Sequence, residues 1–163
     1  MAELKNDKVD TFIELCTITN RQLDRLLGRS IYKGGKLLGN AVGKAVKTIP
    51  VDSRRHHGSR RNGLTQAQKD GLMESYGIAR IKRGKYGLNV KLGFDGYNDV
   101  ITKKYPKGQP NAMIARSINS GTSFLRKTPF MDTTVAQYEQ ATIKAIEEEF
   151  DKQVDRLFNK DKM

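Results

Sequence analysis

A single cysteine, Cys16, leaves the chain without an internal disulfide framework and fits a reducing compartment. No apolar run approaches the roughly 18 residues needed to cross a bilayer, and the opening MAELKNDKVD lacks the apolar core of a signal peptide. The expectation is synthesis and assembly in a cytosol, with no membrane partner. No P-loop occurs, and the glycines of GRSIYKGGKLLG fall inside a helical pattern with no strand before them, so they fail the dinucleotide-binding context. Cys16 has no histidine nearby and reads as a structural thiol. His56 and His57 are adjacent, so on a helix or strand they would point apart, and nothing around them suggests a shared metal ion.

Acidic residues are scarce in the body of the chain. Asp70, Glu74, Asp95 and Asp99 are the only carboxylates between residues 53 and 130. A nuclease needs clustered carboxylates to hold Mg²⁺, and linear order assembles no such cluster. Neither an enzyme nor a cofactor is therefore expected.

What the chain does have is positive charge. Its 163 residues suit one domain, and the formal net charge is +12. With 37% hydrophobic residues and a mean hydropathy of -0.64, the core must share the chain with a large polar surface. The charge is uneven: residues 131–163 hold eight acids and five bases, net −3, which leaves +15 on residues 1–130. Such asymmetry suits a basic body facing nucleic acid or an acidic protein. The plainer alternative is lysines that serve solubility.

The periodicity of Leu23, Leu26, Leu27, Ile31, Leu38, Val42, Val46 and Ile49 predicts an amphipathic helix of roughly 28 residues, opening near Thr19 or Asn20 and closing before Pro50. Within it Gly35, Gly39 and Gly43 recur every fourth residue, each costing about 1 kcal/mol relative to Ala. They ask either for close approach by a sheet or a neighbouring subunit, or for a kinked helix. DSRRHHGSRRNG, residues 52–63, reads as an exposed and mobile loop whose Arg54, Arg55, Arg60 and Arg61 suit phosphate or an acidic surface. A short helix follows, with Thr65 as N-cap and Gln68 in the capping-box position. Residues 76–82 and 88–94 then alternate as two strands joined by RGKYG, a hairpin with Lys82, Arg83 and Lys85 at its end. TKKYPKGQPN reads as a loop and residues 112–118 as a short helix, and a long amphipathic helix starts near Asp132 or Thr133. The fold class is thus α+β: long first and last helices on a small antiparallel sheet, with long loops. Residues 1–18 form an N-terminal extension, 19–158 one domain and 159–163 a charged tail.

GFDGYND, residues 93–99, poses the question of an ion site or a turn. An EF-hand count from Asp95 places Tyr97 at the third position and Val100 at the sixth, so that template fails. The favoured reading makes Phe94 the last core residue of its strand, Asp95 and Gly96 the turn, and Tyr97, Asn98 and Asp99 the residues that fix the following loop toward a neighbouring subunit.

GLTQAQKDGLMESYGIARI, VKLGFDGYND and YPKGQPNAMIARSINSGTSFLRKTPFM, followed by a charged amphipathic helix, resemble the small tail-component family of tailed bacteriophages and prophages. The likeness spans roughly residues 20–157, and GFDGYN, IARSINSGTS and TPF carry most of it. It implies a structural tail-completion or head-to-tail joining protein, forming a ring, sixfold in the family, through which DNA passes. Implied partners are other copies, the head connector, and the tail tube or terminator; the implied location is the virion neck or tail. The commoner pattern places a Thr-Gly pair and a strand soon after the proline that ends the first helix. Here Pro50, Val51 and Asp52 lead into the arginine loop instead, which marks a subgroup with its own local fold over residues 52–75. Phe124 and Phe130 around Arg126 and Lys127 offer aromatic anchors beside positive charge, with a core role as the alternative for Phe130. Arg116 joins them as a subunit-contact candidate. A basic DNA-binding protein outside the virion is the second reading of the sequence, and a metal nuclease using Asp95 or Asp99 the third.

Overall fold

The structure, a computed structural model, describes residues 19–54, 59–85 and 87–159. Cys16, Arg55, His56 and His57 lie outside the described residues, as do the extension 1–18 and residues 160–163 of the tail. Thr19 opens helix α1 (Asn20–Thr48): its hydroxyl accepts from the Gln22 backbone N–H, and the Gln22 side chain accepts from the Thr19 N–H. The helix runs without a break to Ile49, where Pro50 cannot continue it. Its last carbonyls are not left bare, because the Lys69 ammonium donates to the carbonyls of Lys47 and Ile49 at 2.7 Å each.

The glycines of α1 serve packing on two faces. Gly28, Gly35 and Gly39 fall on one stripe at 100° per residue. A side-chain carbon added at Gly35 would lie 3.4 Å from Val90, and one at Gly39 3.6 Å from the Tyr76 ring, so both sit under the hairpin at ordinary contact distance, and neither is the close approach expected of them. Gly34 faces the other way, where an added carbon would overlap Ile146 and stand 3.1 Å from the Thr142 carbonyl oxygen. Gly43, expected to share the close-approach role, has nothing within 4 Å.

Helix α2 (Gln66–Ser75) carries the expected capping box between Thr65 and Gln68. The hairpin follows as β1 (Tyr76–Ile78), β2 (Lys82–Gly84), β3 (Gly87–Asn89) and β4 (Leu92–Phe94). Tyr76 stands opposite Phe94 and Lys82 opposite Asn89, both antiparallel. Between the two ladders one side has three residues, 79–81, and the other only two, 90–91. This extra residue splits the predicted pair of long strands into four short ones, as a bulge does.

Helix α3 (Asn111–Ser120) ends at Gly121, whose φ of 77° needs glycine. Helix α4 (Phe130–Asn159) begins two residues before the predicted start. Its cap comes from elsewhere in the chain: Asn119 Oδ1 accepts from the backbone N–H groups of Met131 and Asp132 at 3.0 and 3.4 Å, so no local cap signal marks the start. α4 then runs antiparallel along α1, with Arg29 donating to Gln153, Lys33 paired with Glu149 and Gly34 against Ile146. The architecture is the expected α+β, with α1 between the hairpin and α4.

The core gathers where all elements meet, around Val46, Ile49, Leu64, Leu72, Phe94, Ile118 and Phe130. Tyr76, Phe94 and Phe130 pack in series with tilted and edge-to-face rings, their centroids 5.0 and 6.1 Å apart. Phe94 is the last strand residue and is buried, as the sequence implied. Among the described residues no helix is long and apolar enough to cross a membrane.

Candidate functional site

Two surfaces collect some of the polar and aromatic residues singled out above. The first is a junction of loops at the C-terminal end of α1. Buried Ile49 and Leu64 pull residues 50–52 and 64 together, where the Leu64 N–H donates to the Pro50 carbonyl and the Asp52 N–H to the Leu64 carbonyl. Gly63 is required there, since any side chain would overlap the Pro50 carbonyl. Asp52 is buried and accepts from Arg54 Nε and Nη2 at 2.8 and 2.7 Å and from the Asn62 N–H at 2.9 Å. The Arg54 guanidinium, first, and the Asn62 N–H hold the Asp52 carboxyl far below the usual carboxylate range, and Asp52 in turn raises Arg54.

The arginine loop is therefore anchored at both ends, and Arg54 is held by Asp52 rather than left free for a partner. Arg61 is half-buried because its backbone joins the segment 124–126: its N–H donates to the Phe124 carbonyl at 3.0 Å, and its carbonyl accepts from the Arg126 N–H at 2.9 Å. This parallel bridge sets Arg60 and Arg61 beside Phe124, which is 44% exposed, and exposed Arg126. Phe130 does not join them. It is 6% exposed, with its ring against Phe94, which corrects its candidacy as a subunit contact: the cluster of Val46, Ile118 and Leu125 needs it as filling.

Lys82, Arg83 and Lys85 also stand apart from the junction. The hairpin end packs near Gly28, where Ile81 approaches α1, whereas the junction lies beyond Ile49. Twenty-one helical residues separate the two levels, roughly 30 Å. Arg83 is paired with Asp24 of α1. Arg116 is exposed on α3 and lines neither the junction nor the cleft described next.

The second surface lies under GFDGYND. Antiparallel pairing of Tyr76 with Phe94 returns the chain to the end of α2, so the Asp95 N–H donates to the Ser75 carbonyl at 3.1 Å. Gly96 turns the chain with φ 68°, its N–H donating to Asp95 Oδ1. A second bridge, Tyr97 with Pro110, then closes residues 97–110 into a loop. Between this turn and α2 opens a cleft of about 610 Å³ whose walls include Asp70 and Glu74 on one side and Asp95 and Asp99 on the other. All four carboxylates of residues 53–130 thus share one concavity, a gathering that linear order concealed. Among the described residues no three acidic, histidine or cysteine side chains approach closely enough to hold a metal ion.

The cleft is also under-satisfied. Ser75 Oγ, Asn98 Nδ2 and Asn111 Oδ1 are buried without a hydrogen-bond partner, and all three residues line it. The other ends of the two asparagines are fixed, Asn98 Oδ1 accepting from the Val100 N–H and Asn111 Nδ2 donating to the Asp95 carbonyl. Asn98, expected to fix its loop, does so from a buried position at 4% exposure, while Tyr97 is 61% exposed beside it. Sequence reasoning missed Ser75 and Asn111. The hairpin register was the available signal, because pairing residue 76 with residue 94 puts residue 75 beside residue 95.

Against known proteins, the chain matches no family model, no curated protein and no solved structure. The resemblance to the tail-component family rests on the segments quoted for it.

Proposed function

We infer that the chain is a structural assembly protein of a tailed phage or prophage, a tail-completion or neck adaptor that works in a ring and turns over no substrate. One observation carries the reading: the bridge between Arg61 and Leu125 draws the described end of the arginine loop and the SGTSFLRKTPF segment, two separate parts of the chain, together on one surface. That surface presents Phe124 with Arg60 and Arg126 around it, the aromatic and arginine chemistry of interface hot spots. Its backbone is hydrogen-bonded in place, so docking orders few additional residues. The positive charge of the surface suits an acidic neighbour in the neck, with transient contact to passing DNA.

The test replaces Phe124 with Ala and Arg60 and Arg126 with Ser, in exposed positions that leave the fold intact. The expected result is a folded protein and a loss of infectious particles, with heads and tails left unjoined. Undiminished titres overturn the assignment. A duplex-DNA titration at two salt concentrations separates the alternative of a DNA-binding protein, which requires tight binding with a log-log salt slope of several units. The adaptor requires weak binding with a shallow slope.

A further inference from the structure

We propose that the acidic cleft between α2 and residues 95–99 is a docking site for the lysine-bearing tip, residues 102–107, of a second copy of this chain. This deepens the ring reading and rests on it. Charge selects the occupant first: a chain of net charge +12 places Asp70, Glu74, Asp95 and Asp99 around one cleft, which repels nucleic acid and attracts cations. A bare metal ion is the wrong size of cation, since no three of the ligating side chains converge.

Hydrogen bonding selects next. Asn98 and Asn111 are 4% and 2% exposed, and each has one polar atom unpartnered, a donor on Asn98 and an acceptor on Asn111. Asn111 Oδ1 stands at the α2 wall, where a side-chain carbon on Gly71 would come within 2.9 Å of it. Burial without partners is costly, about 1–3 kcal/mol for each group. A free donor and a free acceptor on residues of one cleft wall suit a peptide group, which offers the complementary pair. The occupant is thus a peptide with positive side chains, and exposed Tyr97 offers its ring to one of them.

The chain supplies such a peptide on its own surface. Lys103, Lys104 and Lys107 are exposed, and none is ion-paired with a described residue. Their tip is held ready: Thr102 and Tyr105 exchange backbone hydrogen bonds, the Tyr105 hydroxyl reaches Met113 sulfur at 3.1 Å, and Gly108 turns with φ 94°. Preorganisation of this kind lowers the cost of docking. Arg83 on the hairpin is the poorer donor because Asp24 already holds it. Tip and cleft are different patches, so the contact is head to tail, the kind that closes into rings.

The experiment is a charge swap read by sedimentation velocity on the full chain. A cleft variant carries Asp70→Lys and Glu74→Lys; a tip variant carries Lys103→Glu and Lys104→Glu; circular dichroism checks that both fold. Wild type is expected to self-associate, and each variant alone to associate about a hundredfold more weakly, since the altered cleft has lost its net negative charge and the altered tip faces like charge. An equimolar mixture is expected to regain association, because the unaltered lysine tip of the cleft variant then meets the unaltered acidic cleft of the tip variant. Three results overturn the proposal: a wild type monomeric up to about 1 mM, variants that associate like wild type, or a mixture that stays apart. If wild type associates but the variants do too, only the cleft assignment falls. If wild type stays monomeric and phage matures without the protein, the ring reading falls with it.

Discussion

Arg61 and Leu125 lie side by side in a parallel bridge although 64 positions separate them, and this one contact ties the arginine loop to the segment that precedes the last helix. It is a backbone contact, so it survives changes in the side chains around it. The function proposed above depends on that rigidity. Each structural relationship behind it yields a measurement.

Asp52 is the pin of the arginine loop, accepting from Arg54 and from the Asn62 N–H. Replacing it with Ala leaves the Asn62 N–H unpartnered and releases the loop. Amide exchange at Asn62 and Leu64 is expected to speed up at least about tenfold, while amides in the middle of α1 stay as protected as before. Unchanged exchange would mean that the pairing with residues 124–126 holds the loop without Asp52.

Two glycines of one helix are predicted to respond in opposite directions. Gly34→Ala puts a carbon into Ile146 and against the Thr142 carbonyl, an overpacking cost of about 1–3 kcal/mol that outweighs the gain in helix propensity. Gly43→Ala meets nothing within 4 Å and is expected to stabilise by about 0.5–1 kcal/mol. Urea midpoints of the two variants, compared with wild type, decide both signs.

The Lys33 to Glu149 pair between α1 and α4 makes stability depend on acid. Lys33, first, and then Gln153 lower the Glu149 carboxyl from 4.5 to about 2. A carboxyl depressed by folding adds stability that is present above its unfolded value and is lost as pH falls through its folded value. Wild type is therefore expected to lose stability between about pH 5 and pH 2, and Glu149→Gln to show a shallower loss over that window. Equal slopes in urea unfolding at stepped pH would contradict the assignment.

Gly96 and Gly108 both have positive φ, at 68° and 94°, but only Gly108 is crowded, its missing side chain facing the Asn98 carbonyl. Asn tolerates the left-handed region better than other side-chain-bearing residues. Gly96→Asn is thus expected to cost less than about 1 kcal/mol, and Gly108→Asn to open the loop at the Tyr97 to Pro110 bridge and cost about 1–3 kcal/mol. Thermal melts give the difference, and exchange at the Asn98 amide reports on the bridge.

The parts of the fold that were legible in sequence are those written locally. Thr19 with Gln22 and Thr65 with Gln68 mark helix starts within three residues, and the alternation from Val90 to Phe94 marks a half-buried strand. The start of α4 was misplaced because its cap, Asn119, comes from the preceding helix. The four-residue spacing of Gly35, Gly39 and Gly43 pointed to a close approach, but the first two meet the hairpin at ordinary contact distance, Gly43 has no neighbour within 4 Å, and the tight approach falls at Gly34. The candidate site was harder still. Whether Phe130 faces solvent or core depends on the ring of Phe94, 36 positions earlier, and the four carboxylates meet only when the hairpin brings Asp95 back to Ser75. Long-range pairing of that kind leaves no periodic trace.

The central claim is that this chain joins virion parts as a structural adaptor. Electron microscopy of particles made by a phage that lacks it tests this most directly. The account predicts filled heads lying free beside separate tails, restored to whole virions when the protein is supplied. Intact virions formed without the protein would contradict it.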